Sequence, residues 1–469
     1  MRPSRFIVAL LAIAGCPSEE TGAGAGDGTT DGAGPMGIAT STTTATGAAA
    51  TTGAATATGD DATTMSAPSP TTTGVDDGTT TTTTTGDGAT TTGDDGTSTT
   101  TGVDETTGPP PEMPWEAKGC PDIYKQDILP TFELEISPTV LSKLEKEWAS
   151  GDGDKPDHPL ASFKYEDTVI TDAVIQLRGN PKWWFQSPDK MQFEIKFNEN
   201  DKQARFMGLK SVLFDAARYN ESFLRDRLAL KIMRDVGVPA PCANNARVVV
   251  NGEYYGLFVN IEKVDSEFLE RYFEFPDGNL YKRDDWEKKT NEEDKDDSDV
   301  EELIDADNYA ELDAVMNIDQ AILEWAAEAV LPDNDGAWAG GLNYYVYNDP
   351  LTGFNIIPWD KDATFTRIPH DVDPYKYIKP NDHGRPFYDI VTKTPAGYQK
   401  YVQAIEHVLK TGYDAPTLQA RIDEWSAQID EAAKSDPNKP FSDGDYSDAL
   451  KELRTFVKKR AEFVEDWLD

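Results

Sequence analysis

The sequence predicts a two-lobed α+β body, strand-rich in its first part and helical in its last, carried behind a long segment that does not fold. Three observations carry this reading. Of 469 residues, none between Phe6 and Trp115 is aromatic, and none between Arg5 and Lys118 is Lys or Arg. A stretch of Thr, Gly, Ala and Asp has nothing to bury against the roughly 1 to 2 kcal/mol per residue that ordering a backbone costs. From Trp115 onward, β-type runs come first and helical periodicities dominate the end, the order of an α+β domain.

The elements follow in chain order. Arg2 and Arg5 precede an apolar run, Phe6 to Ala14, too short to span a bilayer but suited to a signal-peptide core. It ends in Ile13-Ala14-Gly15-Cys16, which resembles the lipobox of bacterial lipoproteins. That resemblance implies removal of residues 1–15, lipidation of Cys16, and a location in the cell envelope, at the periplasmic face or the cell surface. Residues 16–114 then become a tether, and membrane contact is expected through the Cys16 anchor only. Residues 115–469 form the expected folded domain. Cys120 and Cys242 would sit in an oxidising compartment, where a disulfide closing so long a loop contributes a few kcal/mol; spacing alone leaves their pairing open.

Thr131 to Ser137 reads as a strand, and Pro138 opens a helix with Leu141, Leu144 and Trp148 on one side. Val169 to Leu177 and Phe193 to Phe197 have β character. Glu221 to Val236 repeats Leu224, Leu228, Ile232 and Val236 and stops at Gly237 and Pro239, as an amphipathic helix does. Val248 to Val250, the Asn251-Gly252 turn and Tyr254 to Ile261 predict a hairpin, because Asn-Gly supplies the positive φ angles of a type I′ turn. Tyr344 to Tyr347 and Phe354 to Ile357 predict a second one around Gly353. Between the hairpins, Asp284 to Asp307 reads as a mobile acidic insertion, and Ile318, Ile322, Trp325 and Ala329 mark a helix. Leu450, Leu453, Val457, Phe463, Val464 and Trp467 place a helix at the carboxyl end.

The formal charge of −40, from 44 basic and 84 acidic residues, excludes nucleic acid as a partner, since phosphates need clustered Lys and Arg. Residues 6–117 hold 15 acids, which leaves about −27 on the remainder. There is no Gly-x-Ser-x-Gly elbow, no His-Glu-x-x-His and no Walker-type loop, and the chain has only four His. Serine hydrolase and His-rich zinc chemistry are therefore set aside. Carboxylates instead point to hard cations bound through oxygen. Asp360 and Asp362 emerge two residues apart at the end of the strand Phe354 to Ile357, and Asp333-Asn334-Asp335-Gly336 leads through a Gly-rich loop to Asn343.

Seven motifs recur in order: Leu177-Arg178-Gly179-Asn180; Lys190 with Ile195-Lys196-Phe197; Phe223-Leu224-Arg225-Asp226-Arg227-Leu228-Ala229; Asn251-Gly252-Glu253-Tyr254-Tyr255-Gly256-Leu257 with Glu262; Gly278-Asn279-Leu280-Tyr281-Lys282; Asn343-Tyr344-Tyr345; and Ile357-Pro358-Trp359-Asp360-Lys361-Asp362. Over Leu177 to Phe365 the series resembles the spore coat protein H (CotH) kinase family. Members of that family are atypical protein kinases with a diverged kinase-like fold, some phosphorylating Ser of secreted or coat proteins with ATP and a divalent metal. The resemblance implies an exported protein kinase, monomeric, acting on Ser or Thr of a secreted or envelope protein with ATP and Mg²⁺ or Mn²⁺. In that reading Arg178, Gly179 and Asn180 form the phosphate turn, Lys190 or Lys196 supplies the cation, and Glu262 contacts the nucleotide or pairs with a lysine. Asp360 binds metal, with Asp362 and Asn343 as further ligands, and Asp335 is the base that orients the acceptor hydroxyl. Arg225, Arg227 and Lys196 also read simply as solvated positions. The chain departs from the family at Pro181, where Ser is common, and at Asp215, where Asn is common; Lys190 stands alone where a Lys-Lys pair is usual. A catalytically inactive surface module that binds an envelope protein or glycan, using aromatics such as Trp183 and Trp184, is the competing reading.

Overall fold

The computed structural model describes residues 119–469 except 152, 381 and 382, so the apolar run, Cys16 and the tether lie outside the described residues. The side chains of Trp183 and Gln186 are likewise not described.

The strands are β1 (Thr131–Glu135), β2 (His158–Pro159), β3 (Ser162–Tyr165), β4 (Thr168–Ile170), β5 (Val174–Leu177), β6 (Phe193–Lys196), β7 (Ser211–Asp215), β8 (Ala243–Val250), β9 (Glu253–Ile261), β10 (Leu280–Lys282), β11 (Glu287–Lys288), β12 (Tyr344–Asp349) and β13 (Gly353–Pro358). The helices are α1 (Pro138–Ser150), α2 (Arg225–Asp235), α3 (Ser266–Tyr272), α4 (Ser298–Asp305), α5 (Tyr309–Val315), α6 (Ile318–Val330), α7 (Pro386–Thr392), α8 (Pro395–Thr411), α9 (Ala415–Ser435) and α10 (Asp443–Leu468). The two-lobed α+β expectation holds: a nine-stranded sheet ordered β2-β5-β6-β7-β9-β8-β1-β3-β4 forms the first part, and the second combines a four-stranded sheet, β11-β10-β12-β13, packed through β13 on α5 and α6, with the helices α7 to α10 that follow. No described helix is long and apolar enough to cross a membrane.

Local chemistry explains the elements read from sequence. Ser137 caps α1, its hydroxyl accepting from Val140 N, and Pro138 follows in the first turn where its missing N–H costs nothing. Asn251 and Gly252 both take positive φ, 51° and 81°, and close the β8–β9 hairpin. Gly353, at φ 78°, starts β13; a Cβ there would collide with Val315 O, so glycine is required twice over.

The large sheet separates two cores. On β9, Leu257, Val259 and Ile261 face the helical core, whereas Phe258 faces a cluster shared with α1 and the rings of Phe132, Phe163, Phe193 and Phe214. The disulfide Cys120–Cys242 ties the segment before β1 to the start of β8, with Cα atoms 5.9 Å apart, and answers the pairing that spacing left open.

Four expectations are corrected. Helix α2 begins at Arg225, not Glu221: Phe223 holds φ 58°, and Asn220 Oδ1 accepts from Ser222 Oγ and Arg225 N, so residues 220–224 close as a loop. Arg225 and Arg227 are buried rather than solvated. Arg227 Nε donates to Gln126 Oε1 at 2.9 Å and its guanidinium lies over Trp425. The acidic stretch 284–307 is not a mobile insertion, because it contains β11 and α4, buries Val300 and Leu303, and uses Asp299 to accept from Tyr281 Oη and Asn348 Nδ2. Trp184 is fully buried, stacked on Trp148 at 4.7 Å, with Nε1 donating to Arg178 O.

Candidate active site

Strand alternation builds one wall of the principal cavity. Phe193 and Ile195 point into the core, so Gln192, Glu194 and Lys196 line the opposite face of β6, joined by Ser211, Leu213 and Asp215 of β7. The cavity encloses about 1340 Å³. Across it stand Asp335, Asn343, Tyr345, Trp359, Asp360 and Asp362. That volume exceeds an ordinary small-ligand pocket and accommodates a nucleotide with part of an acceptor chain.

The turn after β5 is formed as the sequence implies. Gly179 has φ 82°, and a Cβ there would sit 2.8 Å from Gln192 Nε2. Asn180 Oδ1 accepts from Lys182 N and caps the short 3₁₀ segment Pro181–Gln186; Pro181 occupies its first position, which explains the departure from Ser. Arg178 donates from Nη1 to Asp215 Oδ2 at 2.6 Å. The second departure is thus matched: Asp215 gives Arg178 a charged partner that Asn would not.

On the far wall, Asp360 and Asn343 both hold positive φ, 54° and 51°, conformations that cost energy for residues with a Cβ and persist where the surroundings enforce them. The enforcement is visible. Trp359 N donates to Asn343 O, Arg225 Nε donates to Asp362 O at 2.7 Å, and Lys361 N donates to Asp226 Oδ1 at 3.0 Å. Lys361 turns away from the cavity and is fully buried, its Nζ 2.6 Å from both Glu328 Oε1 and Asp333 Oδ2. One lysine thereby joins α6, the Asp333–Asp335 loop and the strand end that presents Asp360 and Asp362. Asp335 N donates to Asp333 Oδ1, Asn343 Nδ2 donates to Asp335 Oδ2 at 3.0 Å, and Lys379 Nζ donates to Asp335 Oδ1.

Electrostatics mark the same place. Burial, then Asp215, raises the Asp360 carboxyl to about 6, against the pull of Arg178. Asp362 is pushed well above its ordinary value by burial, then by Asp360 and Asp226, and Asp226 is raised to about 7 by burial and then Asp215. These carboxylates repel one another in a setting of low dielectric. With Asn343 they make an all-oxygen donor set of the kind Mg²⁺ and Mn²⁺ prefer, and a divalent cation would relieve the repulsion. Among the described residues no three acidic or imidazole groups already stand in metal-ligand arrangement, so an ion would have to draw them inward.

Two expected residues are elsewhere. Lys190 does not line the cavity: it is fully buried, donates to Leu257 O and, at 2.7 Å, to Asp436 Oδ2, and packs 4.5 Å from the Phe258 ring. Glu262 is also buried away from it, with Oε2 accepting from Cys242 N at 2.9 Å and from Arg271. Its pairing partner is an arginine on α3 and not a lysine. Lys196 does line the cavity, paired with Asp157 at 2.9 Å. Sequence reading missed Asp215 as a site carboxylate, Asp226 behind it, and Lys379; the first had a signal in its strand-end position before a loop, the second in its place within the Phe223 to Ala229 motif, and the third had none.

Residues 175–464 match the family model described as CotH kinase protein. The chain belongs to the CotH kinase protein family. The match runs well past the motif series and into α10, so the carboxyl-terminal helices are part of the family domain. The inner spore coat protein H of Bacillus subtilis (strain 168) is 26% identical over 275 residues, 52% of this chain and 71% of that protein. Among solved structures, the Helicobacter pylori proinflammatory kinase CtkA aligns over 63% of this chain and 91% of its own, at 12% identity and a TM-score of 0.31. The HipA, HipB and operator DNA complex of Shewanella oneidensis MR-1 aligns over 55% of this chain and 60% of its own, at 14% identity and 0.30. The CotH match makes this a kinase-like protein, and the motif residues Arg178, Gly179, Asn343, Asp360 and Asp362 meet in the cavity.

Proposed function

We propose that this CotH-family chain is an exported, lipid-anchored protein kinase that transfers the γ-phosphate of ATP to Ser or Thr of an extracytoplasmic protein. The observation that carries the reading is the convergence of Asp215, Asp335, Asp360 and Asp362 with Asn343 and the Arg178-Gly179 turn on one cavity. Arg178 and the turn hold phosphate at the strand wall. Asp360, Asp362 and Asn343 hold the divalent ion, which supplies charge neutralisation for the transferring group. Asp335, oriented by Asn343 and Lys379, receives the proton of the acceptor hydroxyl. Export is supported by the Cys120–Cys242 disulfide and the lipobox-like Cys16, and Mg²⁺ or Mn²⁺ is the cation that suits the donors. The acidic body leaves protein, not nucleic acid, as the macromolecular partner. A monomer anchored to the envelope through Cys16 alone completes the reading.

The test is transfer of label from γ-³²P-ATP, in Mn²⁺ or Mg²⁺, to the protein itself or to a Ser-rich acceptor, using the chain with Cys16→Ser. Asp360→Asn should reduce transfer by about 100-fold or more, in line with loss of a group that stabilises transition-state charge. Equal labelling by both proteins would sink the assignment. The competing reading, an inactive binding module, draws on one observation: both Asp335 oxygens are already engaged, by Asn343 and Lys379. It is favoured if wild type binds nucleotide but labels nothing.

A further inference from the structure

The proposed transfer gives no work to a group of arginines that stands beside the cavity carboxylates. Arg218 and Tyr219 line the cavity between β7 and α2, and the Arg218 guanidinium lies 4.6 Å from the centre of the Tyr219 ring. Arg367, at the end of the 3₁₀ turn Phe365–Arg367, brings a second guanidinium to 5.4 Å from the same ring. Arg225 stands behind them: its Nε donates to Asp362 O at 2.7 Å, its Nη1 lies 3.3 Å from Glu221 Oε2, and its Nη2 is buried without an acceptor. Arg367 is exposed and has no carboxylate within ion-pair distance among the described residues. In a body whose charge is about −27, an arginine without an acid, set over one ring with a second arginine, is a local reversal of sign.

The place of the group decides which substrate meets it. Asn334 N donates to Ala363 O at 3.1 Å and Phe365 N to Leu331 O at 2.8 Å, so the segment that ends in Arg367 is bonded alongside the loop that presents Asp335. Arg367 therefore stands on the acceptor side of the cavity, across from the Arg178-Gly179 turn, and Arg218 meets it over Tyr219 from the end of β7. A guanidinium takes a carboxylate through two parallel N–H donors, and stacking on an aromatic ring leaves it less rotamer freedom to lose on binding.

We propose that Arg218 and Arg367, held over Tyr219, form a docking subsite for an acidic side chain of the acceptor close to the Ser or Thr that receives phosphate, so that the site selects acidic peptides. This deepens the kinase reading above and rests on it for the transfer, while the docking itself needs no turnover.

The experiment is fluorescence anisotropy of labelled peptides on the full chain carrying Cys16→Ser, without ATP, followed by transfer from γ-³²P-ATP to the same peptides. The probes are Ala-Ala-Thr-Gly-Asp-Asp-Gly-Ala and its Asn-Asn and Lys-Lys counterparts. Wild type should bind the Asp-Asp peptide at least about tenfold more tightly than the Asn-Asn one, the range of a charge-assisted hydrogen bond. Arg218→Gln with Arg367→Gln should remove that preference while ATP binding stays within about threefold of wild type. Arg218→Glu with Arg367→Glu should turn the preference toward the Lys-Lys peptide, a gain that a misfolded chain does not show. Equal binding of the Asp-Asp and Asn-Asn peptides by wild type, or an acid preference that survives in the Gln pair, overturns the subsite and leaves the kinase reading to its own labelling test. If the Gln pair weakens ATP in place of the peptide, the arginines serve the nucleotide and the subsite falls. An acid preference lost in the Gln pair, in a wild type that transfers no label, upholds the subsite and removes the kinase.

Discussion

Lys190 and Lys361 are both fully buried, and both were reached by the motif series, yet their surroundings drive them in opposite directions. Burial works against the charge of each. At Lys361, Asp333 and then Glu328 more than reverse it and hold the ammonium above its ordinary value. At Lys190 the Asp436 carboxylate is the principal counter-charge, burial wins, and the ammonium sits below its ordinary value. The number of carboxylates sharing the desolvated volume decides the sign. The consequence is a division of labour: Lys361 is a charged keystone behind the cavity wall, and Lys190 clamps the end of α9 to the large sheet. That clamp is closely fitted, since Asp436 Oδ2 also accepts from Leu257 N at 3.0 Å and a Cβ on Gly256 would overlap the carboxylate.

The comparison breaks most readily at Lys361. Lys361→Met leaves Glu328 and Asp333 buried without a counter-charge and should cost about 3 to 5 kcal/mol in urea unfolding. It should also slow phosphoryl transfer, because the loop bearing Asp335 and the strand end bearing Asp360 lose their common tie. A loss below about 1 kcal/mol would show that Glu328 and Asp333 simply take up protons, and the keystone role would fall.

Asp436→Asn tests the other lysine. Asparagine keeps the shape and an acceptor for Leu257 N, and Lys190, already depressed, can surrender its proton. The expected cost is smaller, about 2 to 3 kcal/mol, the scale of a lost charge-assisted hydrogen bond. Because the unfolded chain binds more protons than the folded one between the lowered and the ordinary lysine value, the Lys190 contribution improves as pH rises through that window. Equal costs for the two variants would contradict the contrast drawn between them.

Glu324 sharpens the picture from within the Lys361 cluster. Both its oxygens are buried without a donor, and burial followed by Glu328 pushes its carboxyl well above the ordinary value. A proton on Glu324, donated to Glu328, satisfies both facts. The folded state then holds a proton that the unfolded chain releases above about pH 4.5, so stability falls as pH rises from there toward the folded value. Glu324→Gln, which donates without titrating, should leave stability unchanged near pH 4 and raise it by about 1 to 2 kcal/mol at pH 8. Thermal melts at the two pH values give the answer, and a variant that loses stability at both would place the charge, not the proton, at this position.

Much of the molecule was legible because it is written locally. The Asn251-Gly252 turn, the Ser137-Pro138 helix start, the Gly353 hairpin and the apolar spacing of α6 and α10 depend on residues a few positions apart. The same holds for the site: Gly179 needs its positive φ, and Asp360 and Asp362 stand at a strand end, so their convergence with Asn343 followed from an ordered motif series. Helices α7 to α9 went unread, and the acidic stretch 284–307 was misjudged, because composition describes a solvated face without revealing the Val300 and Leu303 that it buries.

What the sequence by itself determined is the local elements, namely the hairpin turns, the helix starts and the strand end that carries Asp360 and Asp362, since each is set by backbone preference and short periodicity. Only the tertiary structure decided which charges meet. Lys190 and Asp436 lie 246 positions apart and Cys120 and Cys242 lie 122 apart, and nothing near either member names its partner. Which face of a strand is buried, and hence whether a motif lysine reaches a ligand or a buried acid, depends on sheet register and on a helix that arrives late in the chain. The energy of a charge depends on that volume and its occupants, and a linear sequence does not contain them.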